Sequence, residues 1–582
     1  MSLPTFLARA VLGPLVVSLG LGSSAALGQS VERGIGMYDR PGGAKQSRSV
    51  TYARHGMAAT SDVRATQAAV DILRAGGSAV DAAIAANAVL GVVEPMSCGI
   101  GGDLFALCWS PQDGKLRGLN ASGRAPRAAT ISSLRRRGLK QVPMYGPLSW
   151  TVPGCVDGWR ALHQEYGKLP WSRLFEPAIT LAEEGFPVAP VIAEYWRAAE
   201  GRLRDDRLAA ETYLVDGHAP RAGDIFRNAR LAETYRRIAS QGAEVFYQGE
   251  IARQIDRYSR STGEGLLRLE DLAAHRSHWV VPVSTKYRGL DVWELPPNGQ
   301  GIAVLQMLNM LEPFDIAAMG WGSPEWVHLF VETKKLVFAD RARWYADMAM
   351  VDVPLSQLIS REYAETRRRL IDPARAATHV AAGDPRLVHG DTVYLCVVDA
   401  DRCCCSLIQS NFHGFGSQLV AGELGFALQN RGALFSLDPE HPNCLAPGKR
   451  PFHTIIPAMV TREGRPLLVF GVMGGDMQPQ GQVQVLVNWI DFGMNIQLAG
   501  DAARVRHDGS PSPTGEAGQE GGGTVMVESG IPEETIIALR ERGHRVGKGG
   551  SFGGYQAILI DWERGVLEGA TEARKDGAAL GY

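Results

Sequence analysis

The sequence predicts an α+β architecture, two antiparallel sheets covered by helices. Two observations lead there. Alternating apolar runs come in neighbouring pairs joined by short turns: 104–109 with 115–119 across Gln112-Asp113-Gly114, and 393–398 with 404–409 across Asp399-Ala400-Asp401. Helical periodicity arrives in long blocks instead of between successive strands, which argues against a parallel βαβ series.

The elements follow in order. From Ala65 to Val93 apolar residues recur at helical spacing with many alanines, so one or two buried helices are expected. Gly76-Gly77 closes the first and Ser78 caps the second. The stretch from Pro170 to about Ala273 reads as mainly helical, with Arg and Glu on exposed faces. Residues 287–295 return to strand, and 302–311 and 324–346 read as helices. A strand over 466–472 runs into Gly474-Gly475, a helix covers 483–490, and a late strand covers 555–561. Residues 29–50, polar and rich in Gly and Pro, read as an arm or linker, and the Gly/Ser/Pro-rich stretch 508–523 as a mobile loop.

Composition narrows the function. The chain has 582 residues, 45% hydrophobic and 21% charged, with net charge −2, an ordinary globular balance. Near-neutral charge gives no support for nucleic-acid binding, and Arg135-Arg136-Arg137 and Arg367-Arg368-Arg369 are short enough to be solvated faces. Residues 1–28 read as an export signal: Arg9 supplies the positive region, 11–21 is apolar, and Ala26-Leu27-Gly28 puts small residues at the cleavage offsets. The expected location is periplasmic or secreted, or cytoplasmic if that segment is not a signal. Its apolar part is too short to span a membrane. Eight cysteines, three of them consecutive at 403–405 and none in a C-x-x-C pair, read mostly as small apolar residues and not as a zinc site or a dense disulfide framework.

The chemistry begins at Gly390-Asp391-Thr392-Val393-Tyr394, a turn that puts a Thr at the head of a strand. Cleavage between Asp391 and Thr392 would free an α-amine that titrates near ~8 and can act as base for the Thr392 hydroxyl. Taken alone this is also an ordinary turn entering a strand.

Ordered motifs across the chain give it weight. Gly76-Gly77-Ser78-Ala79-Val80-Asp81-Ala82-Ala83, Gly99-Ile100-Gly101-Gly102, Val152-Pro153-Gly154, Pro177-Ala178-Ile179, Phe338-Ala339-Asp340-Arg341 and the ending Gly577-Ala578-Ala579-Leu580-Gly581-Tyr582 resemble the γ-glutamyltransferases, members of the N-terminal-nucleophile hydrolases, from about Met57 to Tyr582. The resemblance implies a four-layer αββα sandwich made as one precursor. It would cut itself into a large piece, 29–391, and a small catalytic piece, 392–582, that stay together. It implies no metal or organic cofactor, and as partners a small-molecule acyl donor and an amine or water acceptor. Thr392 would form an acyl-Thr ester, the backbone N–H groups of Gly474 and Gly475 would hold the oxyanion, and Ser410 would position the nucleophile, with Asn411 beside it as a substrate contact.

The departures concern the substrate. Typical transpeptidases hold an α-carboxylate with an Arg ahead of an Ala-Pro pair; here Arg124 directly precedes Ala125-Pro126, nearer than usual. After Lys449-Arg450-Pro451 a Ser pair is replaced by His453-Thr454. After Leu428-Gln429-Asn430 the groups that receive an α-ammonium give way to Arg431-Gly432-Ala433-Leu434, where Arg repels an ammonium and Leu accepts no hydrogen bond. Such a pocket favours an acyl group with a carboxylate and no amine, such as glutaryl, and the chain looks more like the family's glutaryl-7-aminocephalosporanic acid acylases. Two other readings stay open: a dedicated glutathione γ-glutamyl hydrolase or transpeptidase, and a non-catalytic binding relative. Gly549-Gly550-Ser551-Phe552-Gly553 fits a G-x-S-x-G elbow in letters, but a strand is expected after it where that elbow needs a helix.

Overall fold

The computed structural model describes residues 46–380 and 391–582. The expected export signal and residues 29–45 of the arm lie outside them. The fold is mixed α and β with two seven-stranded antiparallel sheets. One sheet runs Ala578–Gly581, Met57–Thr60, Asp391–Val398, Cys404–Phe412, Asp103–Trp109, Leu116–Ala121, His278–Val280. The other runs Thr51–Ala53, Val566–Thr571, Gly554–Asp561, Arg465–Met473, Ala458–Arg462, Leu290–Glu294, Val283–Tyr287.

Strand alternation sorts the side chains. Because successive residues face opposite ways, Tyr394, Cys396, Val398 and Ile408 of the first sheet pack with Met459, Val469, Ile558 and Ile560 of the second in one apolar cluster. Their neighbours Val393, Leu395, Val397 and Leu407 face the other way, into a cluster with the helices Val63–Arg74 and Ala79–Val93. On the second sheet Leu468, Phe470 and Val472 meet the helices Ile302–Leu311, Pro324–Trp344 and Met477–Ile490.

Helix Ala79–Val93 is apolar apart from Asp81 and Asn87, and every residue of it is buried, as such a pattern requires. Ser78 caps it as expected, in a reciprocal box with Asp81 worth about 1 kcal/mol. Two expectations are corrected. The strand at 287–295 is a hairpin, because Arg288 (φ 49°) and Gly289 (φ 83°) turn the chain between two strands. Arg288 is held in that turn by Asp491, 2.9 Å from its Nε. The loop 508–523 is tied down: Ser510 Oγ lies 2.8 Å from Lys334 Nζ, and Pro513 O accepts from Asn443 Nδ2 (2.9 Å). At Ser551 the chain enters the strand Gly554–Asp561, so no helix follows the G-x-S-x-G letters. All eight cysteines are free thiols, six of them buried. Among the described residues no helix is long and apolar enough to cross a membrane.

Candidate active site

Thr392 lies one residue into the strand Asp391–Val398, at a break in the ladder. Asp391 pairs with Phe412 and Val393 with Gln409, so Thr392 alone faces both Ser410 and Asn411. This is a β-bulge, a device that re-aims side chains next to reactive groups. The Thr392 side chain shares the parity of Tyr394 and points between the sheets, where it is buried. Its Oγ1 donates to Ser410 Oγ at 3.3 Å and accepts from Gln478 Nε2 at 3.4 Å. Ser410 Oγ also accepts from Phe412 N (2.8 Å).

Gln478 stands in the first turn of the helix Met477–Ile490, directly behind Gly474-Gly475. The glycine turn and the Thr392 hydroxyl therefore share one wall. Both glycines have positive φ, 117° and 57°. A Cβ on Gly474 would come within 3.0 Å of Gly553 Cα, so only glycine fits there without a shift.

The turn is braced from behind by residues to which the sequence assigned no role. Gln300 Nε2 donates to Gly475 O (2.9 Å) and Thr454 O (2.7 Å), and its Oε1 accepts from Arg341 Nη1 (2.6 Å). Arg341, fully buried, grips Asp476 with two bonds of 2.7 and 2.9 Å and lies 3.8 Å over the Phe338 ring. The available signals were Phe338-Ala339-Asp340-Arg341, quoted only as a family motif, and Pro296-Pro297-Asn298-Gly299-Gln300-Gly301, a polar residue inside a turn sequence.

The expected substrate contacts separate into two groups. Thr454 and Gly475 line a cavity of about 180 Å³ with Phe412, Leu434, Met144 and Glu516. Thr454 Oγ1 accepts from Arg431 Nη1 at 2.7 Å. Arg431 is fully buried beneath the Phe412 ring (4.5 Å), and its Nε and Nη2 have no hydrogen-bond partner among the described residues. Burial pushes its pKa down to about 9, with only partial relief from Asp103. That is the expected direction for a cation lacking a contact anion.

The second group faces elsewhere. Arg124 Nη1 donates to Gly448 O (2.8 Å) and lies 3.5 Å from Asp347, away from the cavity lining. Asn411 has the parity opposite to Ser410, and its Nδ2 donates to Cys98 O (3.0 Å). His453 is fully buried, with Nε2 on Asp103 Oδ2 at 3.0 Å and Nδ1 accepting from Ile455 N. Desolvation, then Arg431, drives that imidazole well below its usual pKa, so it sits there neutral. Asp103 also accepts from Gly123 N, Gly154 N and Gln429 Nε2, which makes it the knot of the loops beside the site. One group elsewhere has a metal-like composition, His328, Glu332 and His544. Its donor atoms are engaged already: the two imidazoles bond each other at 2.8 Å, and Lys335 Nζ sits 2.7 Å from Glu332.

Residues 65–582 match the family described as gamma-glutamyltranspeptidase. The chain is 38% identical to the glutathione hydrolase-like YwrD proenzyme of Bacillus subtilis, covering 89% of this chain and 96% of that one. It is 36% identical to the oxamate amidohydrolase proenzyme of Klebsiella pneumoniae, covering 91% and 98%. The crystal structure of cephalosporin acylase from Bacillus halodurans superposes with a TM-score of 0.85 at 43% identity, covering 92% and 98%.

Proposed function

The chain belongs to the gamma-glutamyltranspeptidase family, and from that premise we propose that it is a self-processing amide hydrolase or acyltransferase working through an acyl-Thr392 intermediate. The single observation that carries this is the Thr392 hydroxyl, buried at a strand-head bulge between Ser410 Oγ and Gln478 Nε2 and beside the Gly474-Gly475 turn. Cleavage after Asp391 turns the Thr392 amide into an amine. The amine takes the hydroxyl proton as Oγ1 attacks the scissile carbonyl, and the N–H groups of Gly474 and Gly475 receive the oxyanion. The proton then passes to the leaving amine, and water or a second amine resolves the ester. Residues 29–391 and 392–582 form the two subunits of an αββα sandwich, exported by the segment 1–28.

The acyl group carries a carboxylate and no α-ammonium. Thr454 donates its proton to that carboxylate, while Arg431, one hydrogen bond behind, supplies the positive charge. Leu434 in the cavity wall accepts no hydrogen bond from an ammonium. Glutaryl amides meet this description, and so does oxamate, for which the Klebsiella amidohydrolase is named. The test has two stages. Mass spectrometry of the purified protein should find a new N-terminus at Thr392, and Thr392→Ala should remain one chain without turnover. Cleavage and turnover in that variant would end the assignment. Glutaryl-p-nitroanilide should then outrun γ-glutamyl-p-nitroanilide; a preference of about tenfold or more for the amine-bearing substrate would overturn the roles of Arg431 and Leu434.

A further inference from the structure

Away from Thr392, a second hydroxyl lies between two basic nitrogens at the edge of a cavity. Lys334, in the helix Pro324–Trp344, is buried. Its Nζ lies 2.8 Å from Ser510 Oγ, 2.9 Å from His507 O and 3.2 Å from His507 Nδ1, and rests 3.9 Å over the Phe338 ring; as a neutral amine it donates to the two His507 atoms and turns its lone pair to the Ser510 hydroxyl. None of these partners is a carboxylate. Burial, with Arg341 adding repulsion, draws Lys334 well below the usual lysine pKa, toward the neutral amine. His507 Nε2 donates to Gly522 O (2.7 Å), which leaves Nδ1 as an acceptor 3.4 Å from Ser510 Oγ. Ser510 and His507 line a cavity of about 130 Å³ together with Lys335, Gly509, Gly518 and Gln519. It shares no lining residue with the cavity beside Thr454 and Gly475. A hydroxyl bonded to a neutral amine is an activated nucleophile, and the reaction assigned to Thr392 leaves this one unused.

We propose that Ser510 is a second nucleophile, independent of Thr392, which takes the acyl group of small esters with Lys334 as its base. Ser510 Oγ attacks the ester carbonyl as its proton moves to Lys334 Nζ. The tetrahedral species collapses by breaking the C–O bond to the alcohol, which leaves with the proton from Lys334. Water then attacks the acyl-serine. Lys334 accepts a proton from that water and returns one to Ser510, releasing the carboxylic acid. His507 holds the hydroxyl in line. The cavity has room for acyl groups of only a few carbons.

The experiment uses the Thr392→Ala chain, in which Thr392 contributes nothing. A fluorophosphonate probe with peptide mapping, and p-nitrophenyl acetate hydrolysis, are the two readouts. The expected adduct is on Ser510, with labelling that rises with pH as Lys334 loses its proton, and does so below the usual lysine range. Adding Ser510→Ala should cut hydrolysis by at least about tenfold. Lys334→Arg keeps hydrogen-bond donors at that place but offers no base, since its pKa exceeds ~12; it should abolish labelling while the thermal melt stays cooperative. If that variant does not fold, Lys334→Met takes its place under the same expectation. An unlabelled Ser510, hydrolysis unchanged by Ser510→Ala, or labelling that survives loss of Lys334 in a folded variant would each overturn the proposal. In the otherwise unaltered chain, Ser510→Ala should leave cleavage at Thr392 and glutaryl turnover intact, which keeps this result separate from the Thr392 reading.

Discussion

Arg431 is the residue whose environment says most about substrate. A buried guanidinium with two nitrogens unpartnered is costly to keep unless a nearby anion offsets its charge. Arg124, which the sequence offered for the substrate carboxylate, instead bonds Gly448 O and lies beside Asp347. Arg431→Leu should raise KM for glutaryl amides about ten- to a hundredfold, since a charge held one hydrogen bond behind the carboxylate in a poorly solvated site is worth ~1.5–3 kcal/mol. An acyl group of equal length without a carboxylate should show no such change. Steady-state kinetics on the two amides decides this, and equal losses on both would mean that Arg431 serves packing alone.

At the scale of elements, the Gly474-Gly475 turn, the proposed oxyanion holder, is held by parts from distant stretches of chain. The strand Arg465–Met473 delivers Gly474-Gly475, and the helix Pro324–Trp344 delivers Arg341 to Asp476. Gln300, just ahead of the helix Ile302–Leu311, clamps Gly475 O. Gln300→Leu should lower kcat with little change in KM, because the turn matters most when charge develops. Losing one oxyanion donor outright costs ~10²–10³ in rate, so a loosened turn should cost somewhat less. A pure KM effect would place Gln300 in substrate binding instead. Gly474→Ala is harsher, since the added carbon meets Gly553 where φ is 117°. A strain of about 1–3 kcal/mol should show as loss of self-cleavage on a denaturing gel, and normal cleavage would show that the turn tolerates a side chain.

Across the whole molecule, the C-terminal segment locks the assembly. Arg574 is fully buried, with Nε 2.7 Å from Glu528 Oε1 and Nη2 2.5 Å from Glu528 Oε2; it also bonds Glu572 and the carbonyls of Gly500 and Ala502. It thereby joins the end of the strand Val566–Thr571 to the small three-stranded sheet and to the helix Ile496–Asp501. Arg574→Met removes one partner and leaves two buried carboxylates facing each other. Breaking such a cluster costs about 3–5 kcal/mol, measurable as a lower midpoint in guanidinium unfolding. A change under about 1 kcal/mol would mean that the carboxylates simply take up protons.

Local pattern and spacing determined a good part of this protein. The hairpin at 393–409, the buried alanine-rich helix after Ser78 and the strand running into Gly474-Gly475 follow from periodicity and turn chemistry, which act within a few residues. The order of glycine-rich motifs carried the family. Register and side-chain facing came only with the tertiary structure. A single bulge sets Thr392 opposite Ser410 and turns Asn411 toward Cys98, and no local signal fixes where a ladder slips. Nor does spacing reveal which of two arginines finds a partner. Arg124 reaches Asp347 and Arg431 lies beneath Phe412 because residues far apart in sequence close around them, and a charge is defined by what surrounds it.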